Sequence, residues 1–142
     1  MRFTREVFAS HPDKVIAVKV TASQPGALNF TLRPQIPHLT SNREGDTTRA
    51  KTGKVTAAGD TITLAGAMAY YDVRYEGQLK VIPTGGTLTA TNPTSGGRIA
   101  VANADSAVIL IAGGTNYQMV PQVFSATDRL KKLEGLPLRT RR

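Results

Sequence analysis

Asp72-Val73-Arg74-Tyr75-Glu76-Gly77-Gln78-Leu79-Lys80-Val81-Ile82 is the longest stretch of alternating character in the chain. If it is extended, Val73, Tyr75, Leu79 and Val81 share one face, and Arg74, Glu76, Gln78 and Lys80 share the other. A side-chain period of two belongs to a strand with one face buried, so the stretch excludes a helix and sets the expectation of a sheet protein. Pro83-Thr84-Gly85-Gly86 should end this strand, and residues 87–90 should return beside it.

The same pattern recurs on either side. Ile16, Val18 and Val20 alternate with Ala17, Lys19 and Thr21; after Gln24-Pro25-Gly26, Leu28, Phe30 and Leu32 alternate with Asn29, Thr31 and Arg33. These two runs read as a hairpin, with Pro presetting φ and Gly supplying a positive φ. Val55 and Ala57, the turn Gly59-Asp60, and Ile62 with Leu64 read as a second hairpin. Residues 34–53, with Pro34 and Pro37, have no periodicity and read as a long polar loop. A polar turn over 92–97 precedes a strand at 98–101, and residues 106–112 are apolar on both faces, as in a central strand covered on both sides. Helical signals occur only at the end, where Ser125 and Asp128 resemble a capping box, Leu130 and Leu133 share a face and Gly135 fits a stop. The expectation is an all-β, antiparallel β-sandwich with one short C-terminal helix. It divides into a sandwich segment over residues 1–124 and a helix with basic tail over 125–142.

Composition supports one globular unit. The chain has 142 residues, 40% apolar and 20% charged, which is neither disordered nor membrane-like in character. With no cysteine, a disulfide framework, a thiolate metal site and a cysteine nucleophile are excluded. No apolar run approaches the roughly 20 residues of a membrane helix, and residues 1–8 hold no apolar core of signal-peptide length. The net charge of +8 is diffuse, apart from Arg129, Lys131 and Lys132 and the tail Arg139, Arg141 and Arg142. It reads as a solvated surface plus a basic tail; neither nucleic acid nor a membrane is expected as a partner.

Chemistry-bearing patterns are sparse. His11 sits in the turn Ser10-His11-Pro12-Asp13, and neither it nor His38 has a metal-ligand partner at helical or hairpin spacing. Asp72 and Glu76 would share a strand face but stand about 13 Å apart, beyond the roughly 6.5–9.5 Å of inverting glycosidases and the 5–5.5 Å of retaining ones. Asp13, Asp60 and Asp105 fall at turns, where aspartate caps the local backbone. Gly85-Gly86, Gly96-Gly97 and Gly113-Gly114 match no phosphate-binding pattern, and Asn29-Phe30-Thr31 is a glycosylation sequon placed in a strand. Tyr70-Tyr71, with Tyr75 nearby, is the one aromatic cluster. Sugar CH faces stack on such rings, so Tyr70 and Tyr71 are the candidate ligand-binding residues and a glycan is the candidate ligand; Tyr75 reads as packing. No catalytic residue, metal ligand or cofactor site is expected.

Several segments in order resemble glycoside hydrolase family 95. They are Arg5-Glu6-Val7-Phe8-Ala9-Ser10-His11-Pro12-Asp13-Lys14-Val15-Ile16-Ala17-Val18, Gln24-Pro25-Gly26-Ala27-Leu28-Asn29-Phe30-Thr31, and Tyr75-Glu76-Gly77-Gln78-Leu79-Lys80-Val81 with Gly85-Gly86-Thr87-Leu88. Ala104-Asp105-Ser106-Ala107-Val108-Ile109-Leu110-Ile111-Ala112, then Gly114-Thr115-Asn116-Tyr117, and finally Leu130-Lys131-Lys132-Leu133 continue the series over nearly the whole chain. The resemblance implies part of an N-terminal β-sandwich that leads, through a helical linker, into an (α/α)6-barrel. The barrel hydrolyses α-L-fucosides or α-L-galactosides with inversion and carries the catalytic groups, so none is carried onto this chain. It further implies that the chain alone is not an enzyme, that earlier strands and a catalytic domain lie outside it, and that the full-length enzymes are secreted or periplasmic. A sandwich short of strands exposes sheet edges, so self-association through them is expected.

Overall fold

A computed structural model describes residues 1–37, 39, 51–68 and 73–117. They form nine strands: β1 (Phe3–Ser10), β2 (Val15–Ala22), β3 (Leu28–Leu32), β4 (Lys51–Ala58), β5 (Thr61–Met68), β6 (Val73–Thr84), β7 (Thr87–Thr91), β8 (Arg98–Ala104) and β9 (Ser106–Thr115). All pairings are antiparallel. Six strands make one sheet in the order β1-β2-β9-β6-β5-β4, and three make a second in the order β3-β8-β7. The two sheets pack face to face as a β-sandwich.

Alternation explains the core. Val73 and Val81 of β6 are buried, whereas Arg74, Glu76, Gln78 and Lys80 are exposed. Ile62, Val81 and Ile99 are the largest fully buried side chains, with Leu28, Ala57, Val101, Ala104, Ala107 and Ile109 clustered around them. Each large aliphatic so buried contributes about 1.5–3 kcal/mol.

The small sheet covers only part of the large one. One transverse row on the core-facing side runs Ala57, Ile62, Leu79, Ile111, Ile16, Ala9 across all six strands. Ile62 in this row is 0% exposed and Ile16 44%. The neighbouring row passes from buried Val81 and Ile109 through half-buried Val18 to Val7 at 60%. The second layer therefore thins from β5 towards β1. Strand β9 is central, as its apolar run implies, but Val108 and Leu110 on its outer side are only half-buried. Among the described residues it is not covered on both faces.

Two expected hairpins are corrected. β2 and β3 lie in different sheets, as do β6 and β7, so Gln24-Pro25-Gly26 and Gly85-Gly86 carry the chain across the sandwich rather than back along it. A third crossing joins β8 to β9, and all three meet at Asp105. Its N–H donates to Thr84 O at 2.9 Å, its carbonyl accepts from Ala22 N at 3.0 Å, and its Oδ1 accepts from Gly26 N at 2.7 Å. Gly86, at φ 69°, passes so close to the β8 backbone that a Cβ would collide with the carbonyl of Ala102. Near the same corner β8 carries a bulge: Asn103, at φ 55°, donates its N–H to Asn29 Oδ1 at 3.0 Å.

Pro83 does not end β6, which continues to Thr84. Val81 N donates to Asp60 O on the β5 side, so alternation turns the Pro83 nitrogen to the same side, beyond the last β5–β6 pair at Thr61 and Lys80. No ladder bond is lost there. The loop expected over 34–53 is shorter, because Lys51, Thr52 and Gly53 already belong to β4. The C-terminal helix expected after residue 124 lies outside the described residues.

Candidate functional site

The aromatic candidates separate. Tyr70 and Tyr71 lie outside the described residues, as do His38 and Asp72. Tyr75 is described, and it packs. Pairing sets it opposite Gly66 of β5, which in turn faces Gly53 of β4. Two residues without Cβ let the ring lie across both strands: a Cβ on either glycine would overlap the phenol oxygen. The hydroxyl donates to Thr52 O at 2.8 Å, and Lys51 Nζ stands 5.4 Å from the ring centre while donating to Pro37 O at 3.1 Å. Desolvation by this burial pushes the phenol above its ordinary pKa. Tyr75 therefore ties β6 to β4, as a packing residue should.

Four of the described carboxylates, Asp13, Asp60, Glu76 and Asp105, accept hydrogen bonds within the fold. Asp13 accepts from Ser10 Oγ in the β1–β2 turn, where Lys14 adopts φ 55°. Asp60 accepts from Thr61 Oγ1 at 2.8 Å and pairs with Lys80 Nζ at 3.3 Å. The Thr61 hydroxyl, and after it Lys80, holds its carboxyl below the ordinary value, opposite to the direction a general acid needs. Glu76 accepts from Gln78 Nε2 at 2.7 Å on the solvent side of β6, and Asp105 holds the crossings. Glu6 faces Lys19 across the β1–β2 ladder. His11 is exposed in its turn. Among the described residues, no three His, Cys, Asp or Glu side chains gather as metal ligands.

Concavities lie on both sides of this framework among the described residues. An apolar trough of about 660 Å³ opens over the thin half of the sandwich, between the β1–β2 turn and Ile16, Leu64, Leu79 and Ile111, with Gly77 and Gly113 as its floor. A more polar groove of about 730 Å³ lies between residues 34–36 and the 92–96 turn. Asn92, on its wall, is already committed: its Oδ1 accepts from Ala57 N and its Nδ2 donates to Ala57 O, both at 2.7 Å. Asn92 and Asp105 matter to the fold without announcing it in sequence, because their partners lie 35 and 79 residues away.

Comparison with known proteins adds the context. The family described as "Glycosyl hydrolase family 65, N-terminal domain" matches residues 1–120. The chain is also 27% identical over 130 residues to α-L-fucosidase 2 of Arabidopsis thaliana, an alignment covering 81% of this chain and 15% of the fucosidase. The chain thus spans well under a fifth of that relative's length. The resemblance read from the segments beginning at Arg5 stands: the matching family is an N-terminal glycoside hydrolase domain, and most of the chain aligns with part of an α-L-fucosidase.

Proposed function

The chain belongs to the family of glycosyl hydrolase family 65 N-terminal domains, and from that premise we propose that it is a non-catalytic scaffold. On this reading it packs against the catalytic domain of a glycoside hydrolase that acts on α-L-fucosides or α-L-galactosides. The domain it matches is the N-terminal domain of a glycosidase family and is not itself the catalytic one. The fucoside comes from the likeness to α-L-fucosidase 2; the galactoside comes only from the resemblance to glycoside hydrolase family 95. A scaffold, in this sense, presents a rigid sheet surface and leaves acid–base chemistry to another part of the enzyme.

One observation carries the reading. Among the described residues, Asp13, Asp60, Glu76 and Asp105 each accept a hydrogen bond from a neighbour in a turn, strand or crossing, and the Asp60 carboxyl is held below its ordinary value. Inverting hydrolysis needs one carboxyl kept protonated and a second placed across the sugar from it. The test is direct. The purified chain, assayed with aryl α-L-fucosides and aryl α-L-galactosides, should release no phenol above the buffer rate. Turnover that disappears on substitution of a single Asp or Glu would overturn the scaffold reading.

A further inference from the structure

Strand β9 is apolar on both sides. Ala107 and Ile109 point into the sandwich and are buried, while Val108 and Leu110 point the other way and are half-buried. A strand of this kind belongs where both faces are covered. The register extends its outer side into a patch. Leu110 stands beside Ala17 of β2, Ala17 faces Phe8 of β1, and Val108 stands beside Ile82 of β6. Phe8 and Ile82 are 64% and 43% exposed. Among the described residues, no element lies over this side of the large sheet. Strands added beside β1 or β4 would widen the sheet and leave this face as it is, so its cover has to be a third layer. A contiguous apolar patch on a sheet face marks a surface that something occupies.

The segment that follows β9 fits the task by sequence, length and attachment. β9 is a middle strand of the patch and ends at Thr115, and residues 118–142 continue from it. Ala126, Leu130 and Leu133 recur there at i, i+4 and i+7, one stripe of a helix, with Asp128, Lys131 and Lys132 on the opposite side. Ser125 with Asp128 suits its start and Gly135 its stop. A helix over 126–134 is about 14 Å long, and Val108 to Ala112 span about 13 Å along β9. The eight residues 118–125 reach about 26 Å when extended, more than the roughly 17 Å from Thr115 back to Leu110. A helix this short is marginal in water by itself, so it needs an apolar surface on which to bury its stripe.

We propose that residues 126–134 of the same chain form the third layer, a helix that lays Ala126, Leu130 and Leu133 on the outer face of the large sheet over Ala17, Leu110 and Val108. Phe8 and Ile82 flank the seat on either side. This goes beyond the scaffold reading and does not depend on it, since its readout is a distance within the chain rather than turnover.

The chain has no cysteine, so a nitroxide on Lys132→Cys, away from the apolar stripe, reports where the segment lies. In the full chain it should broaden the methyl resonances of Val108, Leu110 and Ile82. It should spare the methyl of Thr89, which is exposed on the far side of the sandwich. An isotope-labelled chain without nitroxide, mixed with nitroxide-bearing chains, should keep these resonances sharp. Leu130→Asp combined with Leu133→Asp should abolish the broadening and remove a helical component from the far-UV spectrum while the sheet resonances persist. Lys131→Ser should change neither. The proposal is overturned by any of four results: sharp resonances in the nitroxide-bearing chain, which leave the face to another domain or protein; broadening in the mixture, which assigns it to a second copy; broadening of Thr89 equal to that of Val108; or broadening that survives the double aspartate variant.

Discussion

Ile62 and Ile16 stand in one row on one face of one sheet, and differ only in whether the second sheet reaches them. Truncating each to alanine measures that reach. Ile→Ala removes three methylene-sized groups, worth roughly 2.4 kcal/mol of transfer at about 0.8 kcal/mol each. Ile62 is 0% exposed, so the full term applies, and the hole left behind raises the cost to about 3–4 kcal/mol. Ile16 is 44% exposed and borders an open trough. A little over half the transfer term applies and no closed cavity forms, giving about 1 kcal/mol. Urea unfolding of both variants should show equal slopes and unfolding free energies separated by about 2–3 kcal/mol. If Ile16→Ala costs as much as Ile62→Ala, something fills the trough and the picture of a half-covered sheet is wrong.

Three further outcomes are expected. Asp105→Ala releases the Gly26 N–H at an exposed corner and should cost about 1–2 kcal/mol, a drop of roughly 3–6 °C in melting temperature, with Asp105→Asn recovering part of it; no change would mean that the crossings do not depend on this carboxylate. Gly66→Ala drives a methyl into Thr52 O and the Tyr75 hydroxyl and should cost at least about 1–3 kcal/mol by overpacking, read by the same unfolding curves, whereas Gly59→Ala meets nothing within 4 Å and is strained only by its φ of 55°. Asp60 has a folded pKa below its ordinary 3.8, so the unfolded state binds more protons in that window and stability rises with pH through it. The advantage of the native chain over Asp60→Asn is thus present above 3.8 and should shrink as pH falls below it and through the lowered folded value, in paired urea titrations run from neutral pH into the acid range.

Most strands were legible in the sequence, β1 excepted; of the expected pairings, the β4–β5 hairpin was legible and the two that cross between sheets were not. The alternation of Val73 to Val81 and of Ile16 to Val20 set each strand and its buried face, because the side-chain period is a local property. Gln24-Pro25-Gly26 and Gly85-Gly86 looked like hairpin turns because a crossing between sheets needs the same positive φ. The choice between them is made by β8, some seventy residues after β3. Pro83 looked like a stop because a missing donor matters in a ladder, but the neighbouring strand has already ended there. At the candidate site, Tyr75 could be assigned to packing from its place in the β6 pattern. Gly53 and Gly66, which admit its ring, became meaningful only when pairing set them side by side.

The position of β9 has a consequence for the order in which this molecule can be made. Within the large sheet, β1 and β2 form one patch and β4, β5 and β6 another, and β9 is the strand that joins them. A chain emerging residue by residue can form the hairpin and the three-strand meander early, since both are local. It cannot join them until residues 106–115 are free to slide between β2 and β6. Until then the inward edges of both patches stand unpaired, which makes the interval before Thr115 is available the moment of greatest exposure to misassembly.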